Sequence, residues 1–303
     1  MFWQTLILIM STAFTAKAQT ITIISAHTNE PLPFATIQNL RSPWAVVSSE
    51  KGAFTFNEAN SRSGDNILIS FTGYLPIRMI KPEGATTLKM EPLPEMLQPV
   101  EVLPCKGMEV GSIKNYYNNK SAFGLASKEQ AIACWAAYIP NDSGTKGIIS
   151  SIQFWLRKND LPKNGEIAPF RVRLFQFNKS SNLPGIPFLN KDILIYPKAQ
   201  KVVIDLSEEW MRLPENGIVV AIDCFYAGEQ FVKTYKTTFI HQDGSKVDTI
   251  MRRYGTNIEA VADNNLKGNG FSYLYKMNEW RVLEDVNGKK WAPKIELTLK
   301  LCE

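Results

Sequence analysis

Short runs in which apolar and polar residues alternate extend over most of this chain, and Gly, Pro and Asn separate them. Because successive side chains of a β-strand point to opposite faces of the sheet, such runs predict strands. The clearest run is 294–302, where Ile and three Leu at every second position face inward. The stretch 217–225 is nearly all apolar, which predicts a central strand covered on both faces. The Ala-rich stretch 127–138 is ambiguous between a helix and a strand.

The second half of the chain predicts a β-sandwich of its own. In the run 148–156 we expect one inward face, made by Ile148, Ile152, Phe154 and Leu156. The loops between the runs are rich in Asn, Gly and Pro. Many short strands joined by such loops are typical of a jelly-roll-like sandwich, which we place at 121–303.

The first third predicts a smaller antiparallel β-sandwich at 19–103. The two Phe of 53–57 share one face of a strand, and the Gly of 50–52 suits a tight turn. Prolines are spread through this region and argue against helices. A stretch at 104–120 without clear period then predicts a linker, so the predicted fold class is all-β with two sandwich domains.

Four motifs of the first third lie at 30–37, 50–54, 68–74 and 97–102. Together they resemble the carboxypeptidase-regulatory-like (transthyretin-like) domain of envelope proteins from Bacteroidetes-type bacteria. Lys51 stands where that family commonly has an acidic residue or Asn before the Gly. The resemblance implies a Greek-key sandwich and an envelope protein. The family is named after a domain beside a peptidase, so the resemblance implies no peptidase activity and no catalytic residues.

A second, more diffuse resemblance covers residues 120–303. Its patterns lie at 168–175, 183–187, 203–207 and 213–222. They are similar to a C-terminal module that accompanies such N-terminal domains. This resemblance implies a galactose-binding-like sandwich with no assigned chemistry.

The N-terminus predicts a signal peptide over residues 1–18. Its apolar run at 1–14 is short for a membrane span, and Ala16-Lys17-Ala18 has the small-x-small pattern of a cleavage site. The run lacks an initial Lys or Arg, so a buried N-terminal strand or helix is the alternative. We expect an exported protein, in the periplasm or at the outer membrane and cell surface, with no transmembrane segment after cleavage.

Composition and charge predict a globular protein without a nucleic-acid partner. The hydrophobic share of 45% and the charged share of 21% are close to those of typical globular domains. The formal net charge is +5, and the basic residues are scattered. Arg252-Arg253 and Lys289-Lys290 come closest to clusters, and a solvated surface explains such pairs better than a phosphate site.

The residues that could support catalysis do not form a known motif. A zinc site needs three or four converging ligands, and the chain has only His27 and His241, in separate predicted domains. A serine nucleophile in Gly-x-Ser-x-Gly is absent from the sequence. A pair of carboxylates would suffice for a glycosidase, but any chain of this composition offers as many candidates. Those candidates are Asp205, Glu208, Glu209, Asp223 and Asp263.

We therefore expect no enzyme and no cofactor. A structural calcium ion is the weak exception, since 141–144 and 263–265 present oxygen ligands. Asn, Asp and Gly also simply form turns, which is the interpretation we favour.

The four cysteines allow three pairings in an exported protein. Cys224 shares a face with apolar neighbours and suits a buried thiol. A bridge between Cys105 and Cys302 would join the two ends of the second domain. Catalytic or metal use is not expected, because Cys-x-x-Cys is absent from the sequence.

Aromatic residues offer the clearest sequence clue to a ligand. Sugar rings stack on exposed aromatic rings, and Trp155, Trp210 and Trp280 lie beside polar or charged residues in the second domain. Most aromatic residues, however, belong to cores.

From the sequence we thus expect an exported, non-enzymatic envelope protein that binds a protein or a cell-wall partner. A carbohydrate-binding protein that uses Trp155, Trp210 and Trp280 is the alternative, and a hydrolase is a remote one.

Overall fold

The computed structural model describes most of the chain from residue 20 onward. The predicted signal peptide at 1–18, the motif at 97–102 and His241 lie outside the described residues. Among the residues that are described, no helix has the length and apolar character needed to cross a bilayer. The described residues are 20–42, 44–56, 61–93, 105–111, 122–125, 127, 132–158, 161, 166–189, 192–240, 244–263, 270–274, 279–284 and 290–302.

The fold is all-β, which confirms the predicted class. Within the described residues, the first part of the chain forms two sheets, which we call the N-terminal sheets. Their orders are β4-β1-β7 and β3-β2-β5-β6. The strands are β1 Thr20–Ser25, β2 Thr36–Asn39, β3 Ala45–Val47, β4 Ala53–Thr55, β5 Asn66–Ser70, β6 Ile77–Ile80 and β7 Thr86–Met90.

The prediction of a purely antiparallel N-terminal sandwich is wrong in one pairing. β1 and β7 run parallel, with Ile21 opposite Thr86 and Ser25 opposite Met90. A parallel pair needs a long crossover connection, and here β2, β3, β5 and β6 of the facing sheet lie between the two strands in sequence. Ile21, Ile37 and Ile69 are fully buried between the two sheets and belong to one core.

The rest of the described chain forms the C-terminal sheets. A seven-stranded sheet has the order β13-β12-β16-β10-β20-β21, with β14 also paired to β12, and a four-stranded sheet has the order β15-β11-β23-β8. A three-stranded sheet, β22-β19-β9, and a two-stranded ribbon, β17-β18, complete the set. The strands are β8 Cys105–Gly111, β9 Ala122–Phe123, β10 Ile132–Ile139, β11 Ile148–Trp155, β12 Phe170–Asn178, β13 Leu183–Pro187, β14 Ile193–Ile195, β15 Lys201–Asp205, β16 Ile218–Phe225, β17 Val232–Ile240, β18 Lys246–Tyr254, β19 Ile258–Asp263, β20 Gly270–Leu274, β21 Glu279–Val282, β22 Lys290–Pro293 and β23 Ile295–Cys302.

The main C-terminal core lies between the seven-stranded and four-stranded sheets. Phe154 of β11 and Phe170 of β12 meet edge to face, with ring centroids 5.9 Å apart. Leu297 of β23 is fully buried beside them, as the alternation in 294–302 predicts. Burying side chains of this size supplies roughly 1.5–3 kcal/mol each.

The inward face of β11 differs from the prediction at its start. Ile149 is fully buried, whereas Ile148 is half-buried. A β-bulge between Ile149 and Ser151 shifts the register against β23. One extra residue changes which side chains point inward, so the prediction was wrong for Ile148 but right for Ile152 and Phe154.

The structure also shows which elements form at three other stretches considered in the sequence analysis. β16 is buried at all eight positions, which confirms the two-sided central strand. The ambiguous stretch 127–138 contains the start of β10, a strand. β8 falls inside the predicted linker 104–120 and pairs with β23 along its whole length. The division into two independently folding domains stays a prediction.

Candidate functional site

A buried group of charged residues lies on the outer face of the seven-stranded sheet. Arg171 and Arg173 of β12 point away from the main core because they alternate with Phe170 and Val172. The strand register places Arg171 directly opposite Asp223 of β16. The side chains of Arg171 and Asp223 are 3% and 0% exposed, so this ion pair lies away from water.

Arg171 links the C-terminal sheets to the N-terminal sheets. Its Nε donates a hydrogen bond to Asp223 Oδ2 at 2.8 Å. Its Nη1 donates to the Phe34 carbonyl oxygen at 3.1 Å, and its Nη2 donates to Thr36 Oγ1 at 3.0 Å. A guanidinium offers five donors in a fixed plane, which suits it to several partners at one buried point.

Asp192 and two aromatic rings complete this junction. Asp192 Oδ2 lies 3.2 Å from Arg171 Nη1 and also accepts the backbone N–H of Thr72 at 3.3 Å. The ring of Phe34 stacks on Phe225, with centroids 4.6 Å apart. Arg171, Arg173, Asp192 and Asp223 are two positive and two negative charges, so the junction is neutral. It is suited to hold the two sets of sheets together.

The electrostatics of the junction favour an ionised Asp223. Burial acts to raise the pKa of Asp223, but the charges of Arg173 and Arg171 outweigh it and lower this pKa to about 2. Burial and the charge of Asp223 raise the pKa of the neighbouring Cys134 thiol. Cys134 is therefore protonated and unsuited to act as a nucleophile.

We expect the junction to make the protein sensitive to acid in a defined window. The pKa of Asp223 falls from 3.8 to about 2 on folding. A lowered pKa stabilises the folded state above pH 3.8, and this contribution is lost as the pH falls through about 2. It amounts to about 2 kcal/mol. Urea unfolding between pH 5 and pH 2 should show this loss for the natural protein and a flatter slope for Asp223→Asn.

The control for this measurement is Asp142→Asn, which removes one negative charge at an exposed position. An unchanged slope in Asp223→Asn, equal to that of the control, would contradict the assignment of the acid sensitivity to the junction.

The β17–β18 ribbon is the second feature of the structure with functional potential. Its strands pair over nine positions, from Val232 opposite Tyr254 to Ile240 opposite Lys246. At about 3.3 Å per residue, the ribbon is roughly 30 Å long. Consecutive residues of β18 are exposed, at 246–248 and again at 250–252, so both faces of the ribbon are open to solvent.

Exposed apolar side chains accompany positive charge on this ribbon. Ile250 is 65% exposed and Val247 48% exposed. Exposed Lys236, Lys246 and Arg252 lie on the ribbon as well. In sequence, residues 232–254 contain five basic and two acidic residues, so they hold more than half of the net charge of +5. A two-stranded hairpin is only marginally stable on its own, so contacts that cover these aliphatic side chains would stabilise it.

The base of the ribbon is fastened to the rest of the protein. Lys233 Nζ donates to the carbonyl oxygen of Leu161 at 2.8 Å. Within the ribbon, the Arg253 guanidinium lies over the Tyr235 ring, 4.6 Å from its centroid. An open cleft of about 100 Å³ lies at this base, lined in part by Glu166 and Gln230. Organic ligands usually occupy 300–1,000 Å³, so this cleft suits a few water molecules.

The structure does not bring the three predicted stacking residues together. Trp155 lies on the outer face of the four-stranded sheet, with Lys294 Nζ 4.9 Å and Lys201 Nζ 5.3 Å from its ring centroid. Trp280 lies on the opposite outer face, on the seven-stranded sheet, and packs edge to face against Phe175.

Trp210 stands apart from both. It follows a short 3-10 turn at Ser207–Glu209 and has a positive φ of 51°. Its exposed fraction is 37%. The side chain is the most open to solvent of the three predicted stacking residues, and its backbone conformation is unfavourable for a bulky residue.

Asp223 lies apart from the candidate carboxylates at the end of β15. Asp205 ends β15 and accepts the backbone N–H of Ser207, whereas Asp223 is enclosed by arginines in the other sheet. Glu208 and Glu209 belong to the 3-10 turn after Asp205. His27 is exposed in a turn after β1.

The described part of the chain shows no group of three or more His, Cys, Asp or Glu residues placed to hold a metal ion. In the loop at 141–144, which the sequence offered as a weak calcium candidate, the Asn141 side chain bonds the backbone of Thr145 and Pro214. This is the turn chemistry that the sequence favoured. Residues 264–265 of the other loop lie outside the described residues.

The cysteines fall into two groups. Cys134 and Cys224 are buried and are not disulfide-bonded, which confirms the prediction for Cys224. The register of β8 and β23 places Cys105 directly opposite Cys302. Their predicted disulfide stays a prediction, and this register is compatible with it.

Sequence reasoning missed both the junction and the ribbon. Alternation in 170–175 separates an apolar face from a polar one, but no local signal shows that another sheet covers the polar face. The ribbon did have a signal. Asp243-Gly244 stands between two runs rich in Thr, Val, Ile and Tyr, a pattern typical of β-hairpins.

A comparison of the chain with models of known protein families finds no match, and no curated protein matches it either. The resemblance to carboxypeptidase-regulatory-like domains therefore remains an expectation that rests on the four motifs alone.

Proposed function

We propose that this protein is an exported, non-enzymatic component of the bacterial cell envelope that acts by binding a partner through the β17–β18 ribbon. The observation that carries this proposal is the exposure of Ile250 and Val247 on a ribbon that is open on both faces. Aliphatic side chains lose free energy when they are transferred out of water, so such a ribbon is stabilised when a partner covers it.

The location in the envelope is supported by the sequence. The predicted signal peptide at 1–18 and the family resemblance both favour export. The neutral, buried junction around Arg171 supports a scaffold role for the two sets of sheets, because it fastens one set against the other. The joined sheets then form a rigid base from which the ribbon can contact a partner.

Carbohydrate binding is the second candidate, and Trp210 is the observation in its favour. This side chain is exposed and its backbone is strained. Strained, exposed residues concentrate at functional sites. Trp155 and Trp280 would not contribute to the same platform, since they lie on opposite faces.

Site-specific photo-crosslinking in the envelope of the producing cell tests these two proposals together. A photo-crosslinking amino acid is placed at Ile250, at Trp210 or at Ile80. Ile80 is the matched control, because it is 63% exposed, like Ile250 at 65%, but lies on β6 of the N-terminal sheets. We expect several-fold more product from position 250 than from position 80.

The alternatives give different results. If position 210 gives crosslinks to glycans and position 250 gives no products, the result would favour carbohydrate binding over the ribbon interface. Equal yields at positions 250 and 80 would contradict a specific ribbon interface.

A further inference from the structure

One face of the ribbon combines positive charge with an exposed aliphatic residue. Directly opposed residues of an antiparallel pair share a face, so the register places Lys236 with Ile250 and Thr234 with Arg252 on the same side. Lys246 lies further along that side, and its partner in the backbone register is residue 240. We call this side the cationic face.

The charge of the cationic face is strongly unbalanced. Lys236, Lys246 and Arg252 are all exposed on it. Among its described residues the negative charge comes from Asp248, whose Oδ1 accepts a hydrogen bond from Thr238 at 2.6 Å. The face therefore suits an anionic partner.

The shape and the aliphatic residue narrow the class of partner. A two-stranded ribbon has no concave site in which a single phosphate or sugar would be enclosed. Ile250 stands between the cations of this face with 65% of its surface exposed. Lys and Arg side chains extend along apolar surface while their charged ends remain at a polar boundary. Basic residues interleaved with an aliphatic residue suit the boundary between lipid headgroups and acyl chains.

We infer that the cationic face of the β17–β18 ribbon lies on an anionic lipid surface. This inference rests on the proposed function, since it names the partner of the same ribbon. Lys236, Lys246 and Arg252 contact lipid phosphates, and Ile250 enters the interface between them. The opposite face, on which the Tyr235 hydroxyl lies 3.6 Å from the Met251 sulfur, is turned away from the lipid in this arrangement.

Vesicle co-sedimentation of the full chain tests this inference. The probes are phosphatidylcholine vesicles with and without phosphatidylglycerol. We expect binding to the anionic vesicles only, with release at high salt, because salt screens exposed charges. Lys236→Glu with Arg252→Glu should lower the partition coefficient by on the order of tenfold or more. Ile250→Ser should lower it by about fivefold.

Matched variants exclude general effects. Lys179→Glu with Lys198→Glu changes the net charge equally at exposed positions outside the ribbon. Ile80→Ser removes an equally exposed Ile. Both controls should bind like the natural chain, and all variants keep the same N-terminal segment. All these positions are exposed, so each variant should show the natural circular dichroism spectrum.

Three results would overturn the inference. The first is that the chain binds neutral and anionic vesicles equally well. The second is that the ribbon variants and the control variants lose vesicle binding to the same extent. The third is that the chain binds a soluble polyanionic glycan and that Ile250→Ser does not change this binding. If vesicle binding fails while position 250 still gives crosslinked products in the envelope, the lipid inference falls and the proposed function stands. If both fail, the ribbon is not an interface.

Discussion

Arg171→Met is expected to lower the free energy of unfolding by about 3–5 kcal/mol, as is typical when one partner of a buried ion pair is removed. The Met side chain has a similar length but no charge and no donors. Asp223 and Asp192 would then remain in a site that is almost closed to water. The Phe34 carbonyl and the Thr36 hydroxyl would also lose their donor. Urea unfolding at neutral pH measures this loss.

The control for Arg171→Met is Arg281→Met. Arg281 forms an ion pair with Glu279 at 2.8 Å, but both side chains are about half exposed. Exposed pairs contribute little, so we expect a loss of at most about 1 kcal/mol. Equal losses in the two variants would contradict the importance of burial at the junction.

A double variant separates charge from packing. Arg171→Met combined with Asp223→Leu removes both charges of the pair, and it also removes Asp223 from Arg173 and Arg171 from Asp192. Apolar replacement of a whole buried pair is often close to neutral. We therefore expect the double variant to be more stable than Arg171→Met alone. A double variant that is less stable would show that the hydrogen bond donated by Arg173 to Asp223 contributes more than the pair of Asp223 with Arg171.

The all-β fold could be predicted from the sequence because alternation is a local property. Each strand records in its own residues which face is apolar, and 294–302 and 217–225 did so clearly. The bulge in β11 could not be predicted, since it depends on how Ser151 pairs with β23. The parallel pairing of β1 and β7 depends on the path of the whole first part of the chain.

The junction shows why the environment of the outer strand faces was harder to predict from the sequence than that of the inner faces. Arg171 and Arg173 alternate with apolar residues, and a solvent-exposed face is the usual interpretation of that pattern. Here the N-terminal sheets and Phe34 cover that face, so Arg171 is buried and the Arg173 side chain is only 20% exposed. Burial of this kind follows from contacts between residues more than 130 positions apart in sequence.

The predicted stacking residues show that the sequence did not predict the distances between candidate site residues. Residue type and polar neighbours selected Trp155, Trp210 and Trp280, but only the fold determines their spacing. Two of them lie on opposite faces of the C-terminal sheets. The ribbon, in contrast, consists of residues close in sequence, and the sequence carries a local hairpin signal for it at Asp243-Gly244, although the sequence analysis did not use that signal.

Ala variants are usually more stable than Gly variants at the same position, and we expect the reverse order of stability at Phe34. Phe34 is 3% exposed and its ring stacks on Phe225, so Phe34→Ala should lower the free energy of unfolding by about 3–5 kcal/mol. The backbone of Phe34 has a positive φ of 58°. For residues with a Cβ this conformation costs roughly 1–2 kcal/mol, whereas Gly adopts it freely. Phe34→Gly should therefore be more stable than Phe34→Ala by about 1 kcal/mol.

Phe154 provides the matched comparison, because it is also fully buried but lies inside β11, outside the residues with positive φ. At this position Gly should be less stable than Ala by about 0.5–1 kcal/mol, the usual entropic cost of Gly in a strand. The test is a urea titration of each of four variants, which carry Ala or Gly at position 34 or at position 154, and it measures their free energies of unfolding. If Gly is less stable than Ala at both positions, the positive φ of Phe34 carries no cost. If the order reverses only at position 34, the aromatic contact with Phe225 and the hydrogen bond from Arg171 hold the backbone in a conformation that it would not adopt alone.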